Sequence, residues 1–171
     1  MIKSKRLYLR KFNFNNINKK YISWLQDKKI NKFLSRNIKT DKNNLKKYFK
    51  KIKKNKKILF LAIYYKKNFN YIGNIKFEPI NLKSKFTIMG ILIGERKYLG
   101  KGLAKEAIIA ASIWLYKKKK IKFIFLGVNK KNYRAIKAFK KTGFFNKKSE
   151  LVKRTKKNQI IMMLRTDKLK N

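Results

Sequence analysis

The sequence contains no cysteine and no histidine. The first absence excludes a disulfide, a thiolate nucleophile and a cysteine-ligated metal. The second removes the commonest general base and the commonest nitrogen ligand, and no metal is expected. Proline occurs once, as Pro79, and only seven residues are acidic. There is no apolar run of membrane-spanning length, and the N-terminal stretch is polar and basic rather than signal-like. A cytoplasmic protein without a membrane span is the expectation. The 171 residues and 44% hydrophobic content suit a single domain over 1–171 with a real core.

What the sequence has in excess is lysine. Lys and Arg total 50 and the formal net charge is +43. One reading is attraction to nucleic acid or another polyanion. The other is codon bias, since Lys, Asn, Ile, Phe and Tyr share AT-rich codons. The lysines are spread along the chain, and arginine, which nucleic-acid proteins favour for bidentate contacts, is scarce. Both observations favour bias, with nucleic acid kept as the lesser alternative.

Chemistry concentrates in Ile88–Ala111. Ile88–Ile93 is a short apolar run of strand composition, and Gly94 ends it. Lys97-Tyr98-Leu99-Gly100-Lys101-Gly102 is a glycine loop. From Leu103 an amphipathic helix carries Leu103, Ala107, Ala110, Ala111 and Trp114 at spacings of three and four. Strand, glycine loop and helix together make an anion site. The glycines let the backbone approach, and the first helical turn presents unpaired N–H groups at its positive end. A Walker A loop does not fit, because five residues separate Gly94 from Gly100 and Gly102 stands where Ser or Thr is required. A dinucleotide fingerprint fails at Lys105, where the third glycine belongs.

The rest of the chain reads as β-α-α-β-β-β-α-β-α-β, a mixed α/β (α+β) order. Lys5–Arg10 alternates as an edge strand. Asn15 or Asn16 can cap a helix bearing Ile17, Tyr21, Trp24 and Leu25. Asp41 can cap a second, with Leu45, Tyr48, Phe49 and Ile52 inward. Ile58–Tyr64 and Tyr71–Phe77 are strands around a turn at 66–70. Ile121–Val128 is a strand, a helix runs through Ala135, Ile136, Ala138 and Phe139 to a cap at Gly143, and Gln159–Leu164 is the last strand.

The glycine loop resembles the Arg/Gln-x-x-Gly-x-Gly/Ala motif of the GNAT family of N-acetyltransferases, with Lys97 in the Arg/Gln place. Asn132-x-x-Ala135…Phe139-x-Lys141-x-Gly143-Phe144 is similar to that family's second motif, at the right distance. Arg6-Leu7-x-Leu9-Arg10, Trp24-Leu25-Gln26-Asp27, Asn31–Arg36, and Gly73-Asn74-Ile75 with Pro79-Ile80-Asn81 resemble segments of the RimJ/RimL-like branch. The resemblance implies a three-layer fold with a mixed, mostly antiparallel sheet and a splayed central strand pair. It implies acetyl-CoA as cosubstrate, held by Leu92, Ile93, Gly94, Lys97, Leu99, Gly100, Lys101, Gly102, Leu103, Ala104, Asn132 and Phe139. The N–H groups around Leu92–Gly94 are expected to polarise the thioester carbonyl, and Asn132 to tie the loop to the splayed strands. The acceptor is expected to be a primary amine, on a small molecule such as a nucleotide-linked amino sugar or at a protein N-terminus. The protein is expected as monomer or homodimer.

Many family members carry Tyr where this chain has Phe139, and relatives with the Pro-Ile-Asn pattern often carry His and an acid where Ser84 and Ile88 stand. The base therefore comes from a carboxylate, a tyrosine or water. Glu95 and Glu106 flank the loop and read as structural, which leaves Glu78 as the catalytic candidate. The alternative is that Glu78 pairs with a neighbouring lysine and water takes the proton. The non-enzymatic alternative is a basic nucleic-acid- or ribosome-binding module that keeps the fold without the activity.

Overall fold

The structure is a computed structural model and describes residues 1–33, 40–147, 149, 152 and 158–169. Its strands are β1 (Ile2–Lys3), β2 (Leu7–Lys11), β3 (Leu59–Tyr65), β4 (Asn70–Asn81), β5 (Phe86–Ile93), β6 (Phe123–Asn129), β7 (Phe145–Asn146) and β8 (Gln159–Arg165). The helices are α1 (Lys19–Gln26), α2 (Lys28–Asn31), α3 (Lys42–Ile52), α4 (Leu103–Lys119) and α5 (Tyr133–Thr142). The strands form one sheet in the order β1-β2-β3-β4-β5-β6-β8-β7, and every pairing is antiparallel except β5 with β6.

Period-two alternation gives the sheet two apolar faces. Leu7, Leu9, Ile63, Ile75 and Phe77 are buried on one face with Leu103, Ala107, Ile108, Ala111 and Leu115 of α4. Half-buried Ala135, Ile136 and Phe139 bring α5 to the same side. On the other face Phe12, Ala62 and Tyr71 meet Ile17 and the inward residues of α1 and α3, namely Tyr21, Trp24, Leu45 and Phe49. Helices, sheet, helices is the expected three-layer arrangement, and α3 starts on its Asp41 cap as expected.

Strands β1 and β7 and helix α2 were not expected, and the stretch read as an edge strand over Lys5–Arg10 is β2, which pairs with β1 and β3; two further changes have a visible cause. Helix α1 is capped by Asn18, whose side chain accepts from the Tyr21 N–H, not by Asn15 or Asn16. Asn13 instead caps a 3₁₀ turn over Phe14–Asn16, and the Asn16 amide donates to the Tyr64 hydroxyl at 2.6 Å. Four asparagines within six residues are chemically equivalent caps, and tertiary contacts choose among them. Strand β4 does not stop at Phe77. It continues through Glu78 and Pro79, neither of which pairs with β5, and the register shifts between Phe77 and Ile80. A proline cannot donate to a ladder, so the strand passes it by an irregularity. Of the Asn31–Arg36 segment, Leu34, Ser35 and Arg36 lie outside the described residues.

Candidate active site

The parallel pairing of β5 with β6 holds for three positions, Phe86↔Phe123 to Ile88↔Phe125, and then ends. Beyond it β5 stays on β4 as far as Gly73↔Ile93, while β6 stays on β8 as far as Asn129↔Gln159. A gap therefore opens between Met89–Ile93 and Leu126–Asn129, in which the strand edges have no ladder partner among the described residues. The register decides which backbone groups face it. The Gly94 N–H donates to the Ile72 carbonyl at 2.9 Å, so antiparallel alternation turns Leu92 and Gly90 towards β4 as well. The backbone groups of Met89, Ile91 and Ile93 turn towards the gap. Of the N–H groups around Leu92–Gly94, only that of Ile93 is available there.

The glycine loop lies at the mouth of this gap. Gly100 and Gly102 have φ of 77° and 74°, left-handed values that favour glycine. Gly102 is the N-cap of α4 and supplies no side chain, and the first intrahelical bond is from the Glu106 N–H to the Gly102 carbonyl. The N–H groups of Leu103, Ala104 and Lys105 therefore lack intrahelical partners. Lys97 sits in a 3₁₀ turn (Arg96–Tyr98) with its ammonium 5.4 Å from the Tyr98 ring centroid. Leu99, Gly100 and Lys101 are exposed.

Two arginines not singled out from sequence brace this loop. Arg6 Nη1 donates to the Lys101 carbonyl at 3.1 Å, and its Nε bonds Glu106 at 2.7 Å. Glu106 also accepts from the Ser4 hydroxyl and the Arg6 backbone N–H. Burial raises the Glu106 pKa, but these hydrogen bonds together hold it below the ordinary value. Arg134 of α5 reaches to within 3.7 Å of where a Cβ on Gly100 would lie. Asn132 stands at the start of α5. Its side-chain oxygen accepts from the Ala135 N–H at 3.2 Å, so it caps α5. Phe139 is half-buried, with its ring 5.7 Å from that of Phe144.

The opposite wall carries side chains. Leu92 packs with Trp24 and Tyr71. Asn74 and Lys76 lie across from Leu92 and Gly90 on β4. The Lys76 ammonium donates to the Tyr48 hydroxyl at 2.8 Å and to the Glu78 carboxylate. Glu78 thus sits within β4 and pairs with a neighbouring lysine, the alternative the sequence left open. Burial pushes the Tyr71 phenol far up, which removes it as a base at neutral pH. The Tyr71 hydroxyl and the Asn74 amide nitrogen are buried, and among the described residues neither has a hydrogen-bond partner.

The two walls are fastened at the end of β5. A Cβ on Gly94 would lie 1.9 Å from the Trp24 ring. The Trp24 indole N–H donates to Glu95 at 3.3 Å, Lys20 pairs with Glu95 at 3.4 Å, and Arg96 bonds Asp27 at 2.9 Å. Glu95 and Glu106 are therefore structural, as expected. Among the described residues no cluster of acidic side chains can hold a metal, and no helix is long and apolar enough to cross a membrane.

Unpaired strand edges beside a helix N-terminus suit a ligand with an amide-bearing arm and a diphosphate. Comparisons with known proteins agree with that geometry. The family model described as the acetyltransferase (GNAT) domain matches residues 6–145. No curated protein matches the chain. Among solved structures, a spermidine N-acetyltransferase from Vibrio cholerae in complex with CoA and spermine superposes with a TM-score of 0.82 at 19% identity, covering 97% of this chain and 99% of that one. A GNAT-family acetyltransferase from Bacillus anthracis gives 0.79 at 18% identity, covering 98% and 99%. A domain from Methanocaldococcus jannaschii gives 0.75 at 21%, covering 95% and 99%. The chain belongs to the GNAT acetyltransferase family, whose members use acetyl-CoA as acyl donor.

Proposed function

We propose that this protein is an N-acetyltransferase of the RimJ/RimL-like branch that moves the acetyl group of acetyl-CoA to a primary amine. The acceptor is a small molecule, with a nucleotide-linked amino sugar favoured by the Pro79-Ile80-Asn81 resemblance, or a protein N-terminus. The protein works in the cytoplasm as a single domain, monomeric or dimeric. The observation that carries this reading is the β5–β6 gap opening onto the α4 N-terminus.

In this reading the pyrophosphate rests on Leu99–Ala104, with Arg134 and Lys97 near it, and the pantetheine pairs with the backbone of Met89 and Ile91. Acetyl-CoA when bound supplies an activated acetyl group and a thiolate leaving group. The chain's part is to present the Ile93 N–H to the carbonyl oxygen and to hold the amine in line from the Leu92 side. Phe139 packs beside the thiol and donates no proton. The amine's proton passes to Glu78 through water, or to water alone.

The test is a panel of amines assayed for thiol release with acetyl-CoA. Acetyl-CoA-dependent turnover with at least one amine is expected, and none across the panel would count against the activity. The second reading, a basic nucleic-acid-binding module, draws on the +43 charge and the absence of histidine. It predicts duplex binding that falls steeply with salt, and no saturable acetyl-CoA site.

A further inference from the structure

We propose that the acceptor carries an anionic group beside its amine, and that Lys76 selects for it. The substrate class is a phosphorylated amine rather than a polyamine. This rests on the transferase reading above and specifies its acceptor.

The first observation concerns carboxylates. A polyamine presents several ammonium groups, and each needs an acceptor to offset its desolvation. In this chain every acidic side chain among the described residues is already engaged. Asp27 holds Arg96 and caps α2, and Asp41 caps α3 through Asn44. Glu78 holds Lys76, and Glu95 holds Trp24 and Lys20. Glu106 holds Ser4 and Arg6, and Asp167 holds Arg165. The seventh acid, Glu150, lies outside the described residues. A polycation would have to displace one of these pairs inside a field set by a net charge of +43.

The second observation is a cation in the right place. Lys76 stands across β4–β5 from Gly90, on the face that carries Leu92 and Asn74. Gly90 is exposed, and a Cβ built on it meets nothing within 4 Å, so among the described residues none fills the space beside Lys76. The Lys76 side chain is only 15% exposed and is held between Tyr48 and Glu78. Two of its three N–H donors go to those groups, and among the described residues none takes the third. A held, half-buried ammonium beside an open notch recognises an anion better than a mobile surface lysine, because its ordering cost is already met by the fold.

The experiment compares three amines of different charge: glucosamine 6-phosphate, glucosamine and spermidine. The wild-type protein should show kcat/KM for glucosamine 6-phosphate at least about tenfold above that for spermidine. Raising salt from about 50 mM to about 300 mM should lower the value for the phosphorylated amine and leave or raise that for spermidine, because screening weakens attraction and repulsion alike. Lys76→Met should raise KM for glucosamine 6-phosphate by about tenfold, the worth of one charge-assisted hydrogen bond. Because Lys76 also holds Glu78, kcat should fall for both sugars, but KM for glucosamine should rise less than that for glucosamine 6-phosphate, and Lys76→Arg should restore most of the loss.

Spermidine matching or exceeding glucosamine 6-phosphate overturns the inference while leaving the transferase reading intact. So does a Lys76→Met protein whose KM rises equally for both sugars, since that is the signature of a purely structural lysine. Turnover of none of the three, with acetyl-CoA still bound, overturns the inference and leaves the transferase reading to the wider amine panel.

Discussion

In the proposed reading the cleft has a donor wall and an acceptor wall, and the two are made of different material. The donor wall is backbone: the open edge at Ile91 and Ile93, the two left-handed glycines, and the unpaired N–H groups of Leu103 and Ala104. Side chains such as Arg6 and Glu106 brace it from outside. The acceptor wall is side chain: Trp24, Tyr48, Tyr71, Asn74, Lys76, Glu78 and Leu92, drawn from α1, α3, β4 and β5. A backbone site tolerates wide sequence change as long as its conformation survives. A side-chain site can be rewritten one residue at a time on an unchanged fold. That difference fits a shared fold at below 25% identity, with TM-scores of 0.75 to 0.82.

The sharpest way to break the comparison is Gly102→Val. A β-branched residue at φ 74° is strained and blocks close approach to the loop. Acetyl-CoA affinity should fall on the order of 10³-fold, about 4 kcal/mol, from strain and lost N–H contacts. Titration calorimetry on a protein shown to be folded by circular dichroism measures it. Undiminished affinity would remove the glycine loop from the donor wall.

Glu78→Gln probes the acceptor wall alone. Transfer should slow on the order of 10²-fold while acetyl-CoA still binds. The rise of rate with pH should persist, because the acceptor amine must lose its own proton whatever base receives it. A variant within about twofold of the parent would pass the role to water. Loss of acetyl-CoA binding would show instead that the Glu78–Lys76 pair supports the fold.

Gly94→Ala addresses the seam. Its Cβ would lie 1.9 Å from the Trp24 ring, so α1 or the strand end must shift. Stability should drop by about 1–3 kcal/mol, the usual cost of overpacking. KM for the acceptor and for acetyl-CoA should both rise, since the displaced seam belongs to both walls. A denaturant midpoint equal to the parent's would show that the seam yields freely.

The smallest effect is expected at Glu106, outside the cleft. Its folded pKa is depressed, so its contribution to stability is present above the ordinary glutamate value and lost as pH falls through the folded value. Glu106→Gln should therefore melt below the parent at neutral pH, and the two curves should converge as pH falls below about 4.3. A gap that persists in strong acid would mean that packing, not charge, links Glu106 to Arg6.

Legibility divides along the same line as the walls. Strand, glycine loop, helix and the second motif all lie within Gly90–Phe144, so local spacing was enough to place the glycine turn and the helices on either side of β6. Even there, spacing did not separate the Ile93 N–H from those of Leu92 and Gly94. That choice depends on register with β4, which a residue's neighbours in sequence do not specify. Asn132 caps α5, because asparagine at a helix start satisfies the orphan N–H nearest to it. On the acceptor wall, Glu78 was found by elimination, whereas its bond to Lys76 and the bond of Lys76 to Tyr48 join α3 to β4 and carry no local signature.

By itself the sequence determined most of the element order, the apolar faces and the glycine turn before α4. Each follows from residue periodicity or from the conformational freedom of glycine, properties written within a few residues. Tertiary structure alone decided where β5 and β6 part, which N–H groups face the gap, and which asparagine begins α1. It also decided that the acidic side chains among the described residues are engaged in pairs and caps. Those outcomes depend on contacts between segments as much as 100 residues apart, as Arg6 and Glu106 are, and pairings at that range are set by packing of the whole sheet rather than by local pattern.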